Sequence, residues 1–82
     1  MRFMVAFSPR PDCVGQLRDA VPAEVAHAKA MTAAGVLRGL FVSAPGRAWL
    51  VIEARDRAEL DELVEGFPMR PFVDAVVDAL MD

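Results

Sequence analysis

Glu24 and His27 have the side chains and the spacing best suited to acid–base chemistry in this sequence. If their segment is helical, a separation of three residues puts both side chains on one face, about one turn apart. A carboxylate beside an imidazole orients the ring and stabilises its charged form, and such a pair can move a proton between two carbon atoms of a substrate. The alternative is structural, because Glu24 also suits the first turn of a helix and His27 is flanked by alanines.

Further candidate groups lie in the middle of the chain. Arg38 or Arg47 could hold a carboxylate or an enolate oxygen, although most arginines near strand ends are simply solvated. Trp49, the single tryptophan, suits a core or a subunit interface, and the wall of a pocket is the second interpretation. One histidine and one cysteine are too few for a zinc site, so we expect no metal.

The composition predicts one domain with more apolar surface than it can bury. The 82 residues suffice for a single domain, residues 1–82, and 55% of them are hydrophobic. A chain of this size buries only about 60% of the surface that it exposes when unfolded. We therefore expect exposed apolar surface or, as we favour, a homodimer or larger homo-oligomer in which another copy covers it.

Charge and hydropathy exclude several classes of partner. The net charge of −3 and the pI of about 5.0 oppose binding to nucleic acid or to an anionic membrane. No apolar run approaches the roughly 20 residues of a membrane-spanning helix. Cys13 has no second cysteine for an internal disulfide. We expect a cytoplasmic protein whose ligand is a small molecule.

Three segments have the pattern of β-strands, namely residues 2–7, 36–42 and 48–54. The first alternates, so that one side carries Phe3, Val5 and Phe7. The other two form a hairpin, because the turn residues 43–46 join them. On the sheet face away from the helices we expect Leu40, Val42 and Trp49.

Two helices are predicted between the strands. The first begins at Pro22, which suits the first helical position, and ends at Gly35 in the C′ position, while residues 12–21 stay ambiguous. Its stripe towards the sheet consists of Val21, Val25, Ala28 and Thr32. The second is capped by Asp56 with Glu59 at N3, and its buried stripe consists of Leu60, Leu63, Val64 and Phe67.

The tail, residues 72–81, fits a helix by its apolar spacing and a strand by its alternation, and periodicity alone favours the helix. With a strand here, the order is β–α–β–β–α–β, which is the ferredoxin-like α+β fold. It has a four-stranded antiparallel sheet with two helices on one face. Two open faces can then pack together as a dimeric α+β barrel.

The chain resembles the muconolactone isomerase family, tolerably over residues 22–81 and best over 46–76. The resemblance rests on Gly46-Arg47-Ala48-Trp49 in the hairpin and, most specifically, on Gly66-Phe67-Pro68-Met69-Arg70-Pro71-Phe72-Val73-Asp74. It implies a strand at the tail, dimers that assemble into rings, and a cofactor-free proton shift within an unsaturated lactone of aromatic catabolism. Glu24 falls where such proteins carry a glutamate near the start of the first helix.

The functional hypothesis is a cofactor-free isomerase or cyclase acting on a small lactone, enol or aromatic/polyketide-type substrate, in aromatic catabolism or secondary metabolism. Glu24 would be the base, His27 the partner acid or orienting group, and Arg38 or Arg47 the group that holds the oxyanion. An apolar wall that also raises the pKa of Glu24 would come from Phe3, Phe7, Trp49 and Phe72. The alternatives are a non-catalytic assembly module and a sensor or carrier of a small ligand.

Overall fold

The computed structural model describes residues 1–44 and 46–81. Pro45, which the sequence places in the hairpin turn, and Asp82 lie outside the described residues. Short 3-10 helices, Pro11–Cys13 and Arg70–Phe72, precede the first α-helix and the last strand. The other elements are β1 (Arg2–Pro9), α1 (Val14–Ala33), β2 (Leu37–Val42), β3 (Ala48–Glu53), α2 (Arg57–Glu65) and β4 (Val73–Ala79).

The four strands form one antiparallel sheet in the order β2-β3-β1-β4. Met31 from α1 and Leu60 and Val64 from α2 join the same buried cluster, so both helices cover one face. The predicted ferredoxin-like βαββαβ fold is therefore confirmed. Within the described part of the chain, no helix is long and apolar enough to cross a membrane.

Strand β1 lies in the centre of the sheet and carries much of the core. Phe3, Val5 and Phe7 are all buried on the helix side, as the alternation predicts. Burying each such side chain stabilises the fold by roughly 1.5–3 kcal/mol. Val5 lies between Leu50 of β3 and Val77 of β4, so the same row continues across the neighbouring strands.

The tail is a strand, in agreement with the prediction that the resemblance supplied. β4 pairs with β1 from Pro9↔Val73 to Phe3↔Ala79. Without this pairing, β1 would expose a row of unpaired backbone N–H and C=O groups along one side. The helical periodicity of the tail is thus outweighed by a tertiary pairing that spacing within the segment does not reveal.

The first helix begins earlier than the sequence predicts. α1 starts at Val14, so Pro22 lies in the helix interior and not at its first position. A proline there removes the hydrogen bond to the carbonyl of Arg18. Pro22 faces solvent, which can satisfy the freed carbonyl, and the ambiguous residues 12–21 belong largely to this helix.

The predicted inner stripe of α1 is also wrong in part. Ala28 packs against the core as expected, together with Leu17 and Met31. Val21 and Val25, in contrast, remain 42% and 48% exposed. Thr32 is exposed as well, and its hydroxyl donates to the carbonyl oxygen of Ala28 (2.8 Å). The helix therefore docks on a neighbouring stripe and leaves two valines beside the sheet without full contact.

The sheet face away from the helices, here called the open face, carries one apolar row across all four strands. The pairings Phe41↔Trp49, Trp49↔Ala6 and Ala6↔Val76 define this row. Trp49 is on this face as expected. Leu40 and Val42 are not, because they pair with Leu50 and Ala48 on the helix side. Since side chains alternate along a strand, the register that puts Phe41 opposite Trp49 turns both neighbours inward.

Both helix-end signals are confirmed. Gly35 has φ +77°, and its N–H bonds the Thr32 carbonyl while the Val36 N–H bonds the Met31 carbonyl, which is the Schellman arrangement. At the start of α2, the Asp56 carboxylate accepts from the Glu59 N–H at 2.8 Å. The Glu59 carboxylate bonds Arg55, one residue before the position expected for a capping box.

Two glycines with open space around the position of a Cβ atom should respond oppositely to alanine. Gly15 lies within α1, where Gly15→Ala should raise the free energy of unfolding by roughly 0.5–1 kcal/mol. Gly35 has a positive φ, so Gly35→Ala should lower the free energy of unfolding by about 1–2 kcal/mol. Urea unfolding at one protomer concentration measures both. Equal effects of the two substitutions would contradict the assigned start of α1.

Candidate functional site

A cavity of about 440 Å³ lies between α1, the end of the β2–β3 hairpin and the segment after α2. Its volume falls within the roughly 300–1,000 Å³ of small-molecule sites. Most of its wall is apolar, with Phe7, Leu17 and Leu50 among the lining residues. Arg18 and Glu24 are the charged residues of the described lining. The arrangement is suited to a largely apolar ligand with few polar groups.

Glu24 is held in this cavity by a backbone hydrogen bond. The N–H of Met69 donates to Glu24 Oε1 at 3.0 Å. Around Met69 the amide groups of Phe67, Arg70 and Phe72 all donate to carbonyls of their own turn, so the Met69 amide is the one directed at α1. Among the described residues no donor reaches Glu24 Oε2. One oxygen of the carboxylate is therefore fixed, and the other keeps its capacity to accept a hydrogen bond.

The environment of Glu24 favours its neutral form. Burial raises the pKa of Glu24 above its ordinary value of 4.5, because a half-buried carboxylate loses hydration. The Met69 N–H and the nearby His27 act in the opposite direction, but their combined effect on this pKa is smaller than that of burial. The direction is the one expected of a general base tuned towards neutral pH.

His27 packs beside Glu24 without bonding to it. Its ring meets Phe67 edge-to-face, with the ring centroids 4.8 Å apart. His27 Nε2 is buried and has no hydrogen-bond partner among residues 1–44 and 46–81. The imidazole lies outside the cavity lining, so it reaches the cavity through its electrostatic effect on Glu24.

The segment that carries the family resemblance most specifically is the one that contacts these two residues. Phe67 packs on His27, and Met69 bonds Glu24 and lines the cavity. Gly66 ends α2, and its N–H bonds the last carbonyls of that helix. The turn thus places an aromatic ring and a backbone donor side by side against α1.

Three candidate ligand-binding residues lie elsewhere in the structure. Arg38 is exposed at the irregularity where the β2–β3 register shifts. Arg47 covers the ring of Trp49, with its guanidinium carbon 5.0 Å from the ring centroid. Trp49 is on the open face, across the sheet from Glu24. The structure does not bring these residues to the cavity, and their role in ligand binding stays a prediction.

The candidate aromatic wall divides in a similar way. Phe7 lines the cavity, as Glu24 does. Phe3 is buried further along β1, in the core. Phe72 ends the second 3-10 helix, half-buried, and its carbonyl accepts from the Arg10 N–H at 3.0 Å. The apolar wall around Glu24 is instead mostly aliphatic, and includes Leu17, Val21 and Leu40.

Arg18 is the functional candidate that the sequence analysis missed. It lines the cavity from the part of α1 that was left ambiguous. A signal was present: Val14, Leu17, Arg18, Val21 and Val25 are spaced as one helical stripe. Placing a helix start at Pro22 hid that stripe, because it cut the pattern in two.

A comparison with protein families decides the affiliation. The profile of the family described as muconolactone delta-isomerase matches residues 1–82. The chain belongs to this family. The resemblance seen in the hairpin and in the turn after α2 is therefore confirmed over the whole chain.

A solved structure agrees with the fold of this family member. The chain is similar to 5-chloro-2-hydroxyhydroquinone dehydrochlorinase (TftG) from Burkholderia phenoliruptrix AC1100, solved in complex with 2,5-dihydroxybenzoquinone, with a TM-score of 0.79. The identity is 19%, and the match covers 99% of this chain and 94% of that one. Rv0793 from Mycobacterium tuberculosis matches with 27% identity, the same coverages and a TM-score of 0.49. No curated protein gives a significant match.

The raised pKa of Glu24 predicts how stability depends on pH. Between 4.5 and the higher pKa of the folded state, Glu24 binds more protons in the folded protein than in the unfolded chain, so the contribution of Glu24 to stability falls as pH rises through that window. Glu24→Gln keeps an acceptor for Met69 and removes the charge. The free energy of unfolding of Glu24→Gln at pH 7 should be higher than that of the parent. The difference between the two proteins should be smaller at pH 4.

Urea unfolding at pH 4 and pH 7, at one protomer concentration, tests this expectation. Glu62→Gln on the exposed side of α2 controls for the loss of one negative charge. A Glu24→Gln protein that is less stable than the parent at pH 7 would show that the ionised carboxylate stabilises the fold.

Proposed function

We propose that this chain is a cofactor-free proton-transfer enzyme, an isomerase or cyclase for a small lactone, enol or aromatic-derived substrate, with Glu24 as its base. The observation that carries the proposal is a half-buried carboxylate with a raised pKa in the lining of an apolar cavity, bonded through one oxygen to the Met69 N–H. Membership of the muconolactone delta-isomerase family supports the reaction type. The keto–enol chemistry of such substrates needs a base and no redox step.

The chemistry proceeds by two proton transfers. Ionised Glu24 takes a proton from a carbon next to the substrate carbonyl; the C–H bond breaks, and its electron pair forms an enolate. The neutral carboxyl then returns the proton to another carbon of the conjugated system, and Glu24 is ionised again. The apolar wall supports this cycle, since it disfavours the ionised carboxylate and thereby makes Glu24 a stronger base. Between the two transfers, the proton on Glu24 can exchange with deuterium from the solvent.

His27 is proposed to position Glu24 and tune its pKa, rather than to act as the second acid. Its ring packs on Phe67 outside the lining, and its electrostatic interaction with the carboxylate lowers the pKa of Glu24. Phe67 is almost fully buried, so the ring of His27 rests on a rigid neighbour. The packing of His27 on Phe67 and its electrostatic effect on Glu24 both support a role that His27 exerts through the carboxylate.

Glu24→Gln should reduce turnover by about 10²-fold or more, since general-base catalysis typically contributes that much. The assay is deuterium incorporation at carbon in deuterium oxide, measured with muconolactone and with a panel of unsaturated lactones and hydroxyquinones. Asp19→Asn, at an exposed position of the same helix, is the matched control and should keep parental rates.

The pH profile of kcat/KM provides an independent readout. The base must be ionised, so the rate should fall as pH falls through the pKa of Glu24, at a midpoint above 4.5. Retained exchange in Glu24→Gln would remove this residue from the mechanism. Tight binding of panel members without exchange in the parent would favour the alternative of a small-ligand carrier.

The open face is proposed to pack against a second copy, as a dimeric α+β barrel. Phe41 and Val76 at the two ends of its apolar row are each 61% exposed in the single chain. The row is continuous through Trp49 and Ala6, and apolar sheet faces pack about 10 Å apart in two-sheet structures. Family membership and the apolar composition support the same association.

Phe41→Glu should dissociate this dimer, because it puts a charge into an apolar interface. Val42→Glu is the matched control: the neighbouring residue is 68% exposed but lies on the helix side. Sedimentation velocity at micromolar concentration compares both with the parent. Dissociation by Val42→Glu alone would show that the partner covers the cavity mouth instead of the open face, and a monomeric parent would refute the dimer.

A further inference from the structure

Arg18 is the one cationic side chain in the described lining of the cavity. Most other arginines are already engaged: Arg2, Arg10, Arg55, Arg57 and Arg70 pair with carboxylates, and Arg47 lies over Trp49. Arg18 is exposed to solvent as well as lining the cavity, and it forms no ion pair or hydrogen bond within residues 1–44 and 46–81. Its guanidinium is therefore free for a charge that comes from outside the chain.

We propose that Arg18 holds an oxyanion of the ligand, so that the cavity selects small, largely apolar molecules with one negative charge. This inference rests on the proposed function and names the charge of its substrate. A carboxylate and an ionised phenol or enol share the chemistry that a guanidinium recognises through paired N–H donors.

The spacing along α1 separates the two charged groups of the site. Arg18 and Glu24 are six residues apart, which is about 9 Å along a helix axis. A ligand anion at Arg18 thus stays away from the Glu24 carboxylate, while its apolar body lies against residues such as Val21 and Leu50. The bound molecule would present its far end to Glu24 Oε2, which suits a proton transfer remote from the anion.

The affinity of matched ligand pairs for the full-length protein tests this selection. The probes are 1-naphthoate against neutral 1-naphthamide, and 4-nitrophenolate against 4-nitroanisole, titrated by calorimetry at a pH where the acids are ionised. The parent should prefer at least one anion by about tenfold, since a hydrogen bond to a charged group contributes about 1.5–3 kcal/mol. Which pair responds tells a carboxylate from a phenolate.

Arg18→Met keeps an aliphatic stem and removes the charge, so it should lose this preference while neutral probes bind as before. Unchanged binding of the neutral probes shows that the cavity is intact. Arg57→Met, on the exposed side of α2, is the control for one lost positive charge and should retain the preference. Arg38→Met and Arg47→Met test the arginines that the sequence analysis favoured.

The proposal is overturned if Arg18→Met still prefers the anionic probe, or if the preference is lost in Arg38→Met or Arg47→Met instead. It is also overturned if the parent binds the anionic and the neutral member of each pair equally. These titrations involve no turnover. A negative result in these titrations therefore does not decide the deuterium-exchange experiment on Glu24. Likewise, the exchange rate of Glu24→Gln does not decide whether Arg18 binds the anion.

Discussion

The hydrogen bond from the Met69 N–H to Glu24 Oε1 joins the middle of α1 to the turn after α2. Burying a carboxylate without a partner costs several kcal/mol, and a single backbone donor offsets only part of that. The pKa of Glu24 accordingly stays above its ordinary value although the donor lowers it. Because the donor is backbone, the position of the carboxylate depends on the turn between Gly66 and Phe72 and not on one replaceable side chain. Glu24 and the turn that carries the family resemblance are thus parts of one arrangement.

The cavity exists because α1 does not dock fully on the sheet. Val21 and Val25 stop short of the strands, and the opposite wall contains the small residues Gly46 and Ala48. An empty apolar space of this kind destabilises a small domain, since the lining atoms lose packing contacts. A ligand that fills it restores those contacts and stabilises the folded state by mass action. The same incomplete docking that weakens the core therefore provides the apolar wall that the proposed ligand would contact.

Most elements could be predicted because their signals are local. Alternation defines β1, and caps define the end of α1 and the start of α2. Features that depend on distant residues were harder to predict. The strand at the tail was predicted only through the family resemblance, because it exists through pairing with β1, and the inward direction of Leu40 was missed, because it follows from the register with β3. The start of α1 was predicted wrongly at Pro22. A proline is tolerated inside this helix because it faces solvent, and that orientation depends on the tertiary structure. Glu24 was proposed from the chemistry of its side chain, whereas its hydrogen bond with the Met69 amide has no sequence signature.

The polar features of the site are costly for so small a protein. Glu24 is half desolvated, and His27 Nε2 is buried without a partner in the described part of the chain. A buried polar atom without a partner, such as His27 Nε2, costs about 1–3 kcal/mol, a large share of the margin of an 82-residue domain. In the proposed dimer, burial of the row from Phe41 to Val76 adds apolar stabilisation on the other side of the sheet. Because side chains alternate along a strand, the residues that form the open face do not point into the cavity. The apolar interface and the polar site therefore use different residues. Association can therefore offset the instability of the site without altering its geometry.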